Sequence, residues 1–166
     1  MAVDPSCITI VEADLGCDAH RRAVTELVDA YAADPMGRGA RLPEDVLRRL
    51  VPGLREQPGS LILLAYVEDR PVGIAVCFRG YSTFAARPLI NIHDLSVVAE
   101  YRGRGIGKRL LQAVEHKARE LGCCKVTLEV QERNFRARRA YEAAGFAQSV
   151  HAQEAGGALF MTKSVE

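Results

Sequence analysis

The chain has 166 residues, enough for one domain that buries a core without disulfides or a structural metal. Its hydrophobic fraction of 48% and charged fraction of 26% are ordinary for a globular protein. The net charge of +1 excludes a global electrostatic pull toward nucleic acid or membrane, so any anion-binding role must come from local clustering.

The start, "MAVDPSCITIVEADLG", has no basic opening and no long apolar run, so no secretory leader is expected. No uninterrupted apolar stretch approaches the ~18 residues of a membrane span. The five cysteines are Cys7, Cys17, Cys77, Cys123 and Cys124. None are paired at the two-residue gap of a zinc or redox motif, and two are adjacent. Buried, reduced thiols and a cytoplasmic location are expected.

In chain order, "SCITIVEA" reads as a strand, β-branched and loosely alternating. Asp18 is placed to cap a helix carrying Val24, Leu27, Val28 and Tyr31 at helical spacing. "DPMGRG" breaks it. Pro43, Glu44 and Asp45 make a first turn, with Leu47, Leu50, Val51 and Leu54 on the apolar face. "SLILLAYVEDRPVGIAVCFRGYS" is a hairpin turning at "EDRP", and "TFAARP" is a loop. "LINIHDLSVV" is apolar enough for a central strand. A glycine turn follows, then a helix with Ile106, Leu110, Leu111, Val114, Ala118 and Leu121 on one face, ended by Gly122. "CKVTLEV" is a strand, parallel to "LINIHDLSVV" because a helix crosses between them. Asn134 opens a last helix that Gly145 closes, and "FAQSV" and "ALFMTKS" are two short closing strands. The whole is an α/β chain with a mixed sheet and helices on both faces, one domain over 1–166.

The chemistry concentrates in "VVAEYRGRGIGKRLL". A glycine turn between a strand and a helix lets backbone N–H groups converge at the positive end of the helix dipole. Such a site holds phosphate. Arg102, Arg104, Lys108 and Arg109 add charge around Gly103, Gly105 and Gly107. Two phosphate templates fail. A P-loop needs glycine where Arg102 stands and Ser or Thr where Arg109 stands. The dinucleotide fingerprint needs glycine where Lys108 stands.

Arg102-x-x-Gly105-x-Gly107, preceded by "HDLSVVAEY" and followed by an amphipathic helix, resembles the acetyl-CoA site of the GNAT superfamily of N-acetyltransferases. "NFRARRAYEAAGF" resembles the family's later motif, with Asn134, Ala137, Tyr141, Gly145 and Phe146 in place. The resemblance implies a GNAT-like acyl-CoA N-acyltransferase fold, with CoA wedged between splayed strands. It implies that Leu95, Ser96 and Val97 meet the pantetheine arm and the acetyl carbonyl. It implies that residues 102–108, Ile106 among them, hold the pyrophosphate, that Asn134 and Ala137 border CoA, and that Tyr141 donates a proton to the CoA sulfur. No metal is implied.

Attack on a thioester requires a neutral amine, and free alkylamines titrate near pH 10, roughly. A base or a water relay is therefore needed at neutral pH. The spermidine/spermine acetyltransferases, the branch this chain resembles in pattern, carry Glu-Asp in this strand. Here the pair is His93-Asp94, and histidine, with an ordinary pKa of about 6.5, is chemically able. Strand alternation places Asp94 on the opposite face from His93. Tyr81, Phe84 and Arg87 are candidate acceptor contacts from the preceding loop, with Glu129 a further acid near the cleft. Arg133, Arg136, Arg138 and Arg139 read as a solvated face, or as attraction for the CoA 3′-phosphate. Three readings remain open: N-acetyl transfer to a small amine, transfer to a peptide or protein, and a non-catalytic acyl-CoA-binding module. A homodimer is expected from the resemblance.

Overall fold

The computed structural model describes residues 7–148 and 161–165. Among these residues five strands form one sheet in the order β1-β2-β3-β4-β5. They are β1 (Ile8–Glu12), β2 (Ser60–Val67), β3 (Arg70–Ser82), β4 (Arg87–Val97) and β5 (Val126–Leu128). Neighbours are antiparallel except β4 and β5, which run parallel as the crossover through α3 (Ile106–Glu120) requires.

Each face of the sheet has its own core. On one face, Ile106, Leu110, Leu111, Val114 and Ala118 of α3 pack on Ala75, Cys77, Ile90 and Ile92. Tyr141 of α4 (Phe135–Ala143) and the following Phe146 lie against that same layer. On the other face, Val24 and Leu27 of α1 (Asp18–Ala33) and Val51 and Leu54 of α2 (Glu44–Glu56) pack on Ile62, Leu64, Ile74 and Val76. The mixed sheet with helices on both faces follows from the sequence periods. Strands buried on both sides carry nearly continuous apolar runs, while each helix carries one apolar stripe.

Several local expectations are corrected. Asp18 is the first helical residue rather than the cap, which is Cys17, and its carboxylate pairs with Arg21. Pro43 takes the cap position of α2, with Glu44 and Asp45 in the first turn. Leu121 falls after α3 and is partly exposed. Of the five thiols only Cys77 is buried, and Cys7 is exposed. Strand β4 begins at Arg87, inside the expected loop. Strand β5 is only three residues long, because β4 and β5 pair from Ile90↔Val126 to Ile92↔Leu128 and then part. Phe146–Gln148 and the stretch 161–165 form no strand; the rest of both expected closing strands lies outside the described residues.

Candidate functional site

The parting of β4 and β5 opens the site. Beyond Ile92, β4 continues to Val97 against β3 and, among the described residues, has no strand on its other edge. A cleft of about 430 Å³ fills the gap. It is walled by Leu95, Ser96 and Val97 of β4, by the turn and first residues of α3, by Leu128 and Glu129, and by Asn134, Ala137 and Tyr141.

A bulge in β4 sets which side chains face which way. Cys77 pairs with Ile92 and Val76 with Asp94, so His93 has no partner on β3. Leu95 and Val97 lie against the α3 core. Asp94, opposite Val76, belongs to the α1/α2 face. The His93 ring meets the edge of Phe78, on that same face, with centroids 5.6 Å apart. The expectation that His93 and Asp94 face opposite ways is thus overturned: the extra residue breaks the alternation. Burial pushes the Asp94 carboxyl above the usual carboxylate range, while the neighbouring His93 acts to lower it.

The glycine turn is built for an anion. Gly103 (φ 74°) and Gly105 (φ 81°) adopt the left-handed conformation, and a Cβ at either would meet nothing within 4 Å. Glycine is thus needed here for backbone freedom rather than for space. Gly105 caps α3 without any side-chain bond, and the first turn of α3 holds no acid. The N–H groups there remain available at the positive end of the dipole. This donor set fits a pyrophosphate.

The four cations divide. Arg102 donates through Nε to the Val97 carbonyl (2.7 Å) and through Nη2 to Asp34 Oδ2 (2.5 Å). Arg109 donates to the Ile8 carbonyl (2.9 Å), which ties α3 to the far edge strand. The Arg104 guanidinium lies 5.1 Å from the Tyr101 ring centroid, and Arg104 does not line the cleft. Lys108 lines it and has no ion pair among the described residues. The expected ring of four charges is therefore one free lysine plus a buttressing Arg102. Arg136 lines the cleft too, the one arginine of the "RNFRARR" run to do so.

Helix α4 delivers Tyr141. Asn134 Oδ1 accepts from the Ala137 N–H (3.2 Å), a side-chain cap. At the other end the Phe146 N–H donates to the Tyr141 carbonyl (3.0 Å), and the two rings meet edge-on at 5.9 Å. Burial, then the neighbouring Tyr31, push the Tyr141 phenol up to about 12. It is a protonated donor across the physiological range.

Other sequence candidates fall elsewhere. Tyr81 and Phe84 are exposed and Arg87 donates to the Gly122 carbonyl (3.0 Å); none of the three lines the cleft. Arg87 and His93 are separated by about 20 Å of extended strand. The cleft is bordered on its α1 side by Tyr31, Asp34 and Met36, which sequence reasoning placed on a helix face or in a helix break, and by Gln131, which it passed over. Tyr31 reads as one more apolar position on α1; burial foremost, then Asp94 and Asp34, raise its phenol above the ordinary value. Among the described residues no group of three or more metal-ligating side chains is found. No helix among them is long and apolar enough to cross a membrane.

A glycine turn without a side-chain cap, a parted pair of parallel strands and a protonated tyrosine meet in this one cleft. Residues 24–146 match the acetyltransferase (GNAT) family, and the chain belongs to that family. A thialysine N-epsilon-acetyltransferase of Bos taurus is 31% identical over 147 residues, which cover 83% of each chain. An uncharacterized N-acetyltransferase of Bacillus subtilis is 27% identical over 154 residues, 86% of this chain and 95% of its own. The crystal structure of a probable acetyltransferase matches with a TM-score of 0.77 at 24% identity, over 94% of this chain and 99% of that one, a likeness of fold.

Proposed function

We propose that this acetyltransferase moves the acetyl group of acetyl-CoA onto the primary amine of a small molecule, by direct attack in a ternary complex. The observation that carries the reading is one cleft holding both the uncapped glycine turn and the protonated Tyr141. Simple acyl-CoA binding needs the first and not the second.

The acceptor enters from the α1 face, where the bulge sets His93 and Asp94. The amine nitrogen attacks the thioester carbonyl; a C–N bond forms and the C–S bond breaks. His93 accepts the proton that the nitrogen loses, directly or through water, and Tyr141 gives its proton to the departing sulfur. Backbone N–H groups on the unpaired edge of β4, around Val97, polarise the carbonyl oxygen. The products are an amide and CoA thiol.

For the acceptor, the relative that acts on thialysine supports an amino acid with a side-chain amine. His93 in place of the glutamate of the spermidine/spermine branch weakens the case for a polyamine and leaves a small amine or an amino acid with its own carboxylate. The test is a thiol-release assay with acetyl-CoA against diamines, diamino acids, aminoglycosides and peptides. It should find release with a small amine, and that amine should gain one acetyl group by mass. Absence of acetyl-CoA binding by calorimetry would remove the reading.

A further inference from the structure

The segment that follows α1 does more than break a helix. Its Asp34 carboxylate takes the Arg102 guanidinium (2.5 Å), on the glycine-turn side of the cleft. Two residues on, the Met36 carbonyl accepts from Gln131 Nε2 (3.3 Å), on the β5–α4 side. Arg102 follows β4 and Gln131 follows β5, so the segment is bonded to both walls of the gap left by the parted strands. It comes from α1, on the face opposite α3 and Tyr141.

The segment is stiffly built. Asp34 Oδ1 accepts from the Met36 N–H (2.8 Å), and the Gly37 N–H donates to the Asp34 carbonyl (2.8 Å). Gly37 lies so close to α1 that a Cβ there would sit 2.2 Å from the Tyr31 carbonyl oxygen. Further along, the buried Asp29 carboxylate takes the Leu42 N–H (2.8 Å) and the Arg41 guanidinium (2.5 Å), which pins the loop back onto α1. Tyr31, Asp34 and Met36 line the cleft beneath it.

We propose that Asp34–Met36 is a fixed bridge across the acceptor mouth of the cleft, and that it restricts acceptors to small free amines and shuts out polypeptide chains. A peptide acceptor must lay chain on both sides of its reacting amine. Among the described residues, a bridge hydrogen-bonded to both walls leaves no through-going groove for it. The whole cleft, about 430 Å³, must also take the thioester end of the donor. What remains under the bridge suits a short amine that enters end-on. The inference rests on the transferase reading above and adds to it the element of the fold that keeps polypeptide acceptors out.

The experiment compares the best small amine of the thiol-release panel with blocked peptides that present the same amine in mid-chain. In the wild-type protein kcat/KM should fall by at least about tenfold from the free amine to the peptide, a size discrimination within the range that contacts supply. Gly37→Ala, which displaces the bridge, and Gln131→Ala, which releases one end, should each narrow that ratio several-fold. Acetyl-CoA binding, followed by calorimetry in both variants, should persist, which separates bridge movement from loss of fold. Equal turnover of peptide and free amine by the wild type overturns the bridge while leaving acetyl transfer intact. So does an unchanged ratio in both variants. No thiol release with any amine overturns the transferase reading and the bridge with it.

Discussion

Arg102 reaches across the fold to Asp34 at 2.5 Å while its Nε holds the Val97 carbonyl, so one guanidinium joins the end of β4 to the end of α1. Asp34→Ala should loosen the glycine turn and raise the KM for acetyl-CoA a few-fold. Loss of a charge-assisted hydrogen bond at these mostly buried side chains should cost about 1–3 kcal/mol. The Arg102 hydrogen bond, foremost, holds the Asp34 carboxyl below its usual range. The bond therefore contributes fully above the unfolded carboxylate value of about 3.9 and is lost as pH falls through the lower folded value. Urea unfolding of wild type and variant should differ by a constant amount above about pH 5, and the curves should converge in stronger acid.

Tyr141→Phe should lower kcat by about tenfold to a hundredfold. That is the modest end of acid catalysis, because a thiol is already a fair leaving group. The Kd for acetyl-CoA should stay put by calorimetry. Since burial and Tyr31 raise the phenol to about 12, its proton stays on until strongly alkaline pH. The ratio of wild-type to variant rates should therefore be flat from about pH 7 to 10, the upper figure being where an ordinary phenol titrates. A ratio near one throughout would remove Tyr141 as donor, and one that decays across that range would place its titration below the value that burial sets.

His93→Gln should lower kcat/KM about a hundredfold, the lower end of what a positioned base supplies, with acetyl-CoA binding unchanged by calorimetry. Full activity in His93→Gln would assign proton removal to a water chain.

Gly105→Ala forces a side chain into φ 81°. The penalty should be about 1–2 kcal/mol, seen as a fall in Tm of about 2–4 °C per kcal/mol. Among the described residues no atom beyond the chain neighbours lies within 4 Å of the added Cβ. A weaker acetyl-CoA affinity in this variant therefore reports the changed turn rather than a displaced neighbour.

The layered fold and the donor half of the site were legible because their signals are local. Apolar periods fixed α1, α2 and α3, and the left-handed positions of the turn can be read from Gly103 and Gly105. The acceptor half was not, because it depends on relations that no short window carries. The bulge at His93 arises from the β3–β4 register and reverses the simple alternation that put Asp94 across the sheet. Arg109 looks like a phosphate ligand beside Lys108, yet it is spent on Ile8, 101 residues away in the chain. Tyr31 and Asp34 are distant in sequence from every motif and reach the cleft only through helix packing. The aromatic loop pointed to Tyr81 and Phe84, but β4 begins at Arg87 and its length carries the loop away from the bulge.

Cys77 sits fully buried opposite Ile92, one step before the bulge, its thiol pushed up to about 12 by burial and by Asp94. Scarcely any thiolate exists there to react. A thiol reagent should mark the exposed Cys7 first and Cys77 last. The delay before that last label clocks how often α3 lifts from the sheet, and its lengthening on addition of acetyl-CoA would show the donor clamping that helix in place.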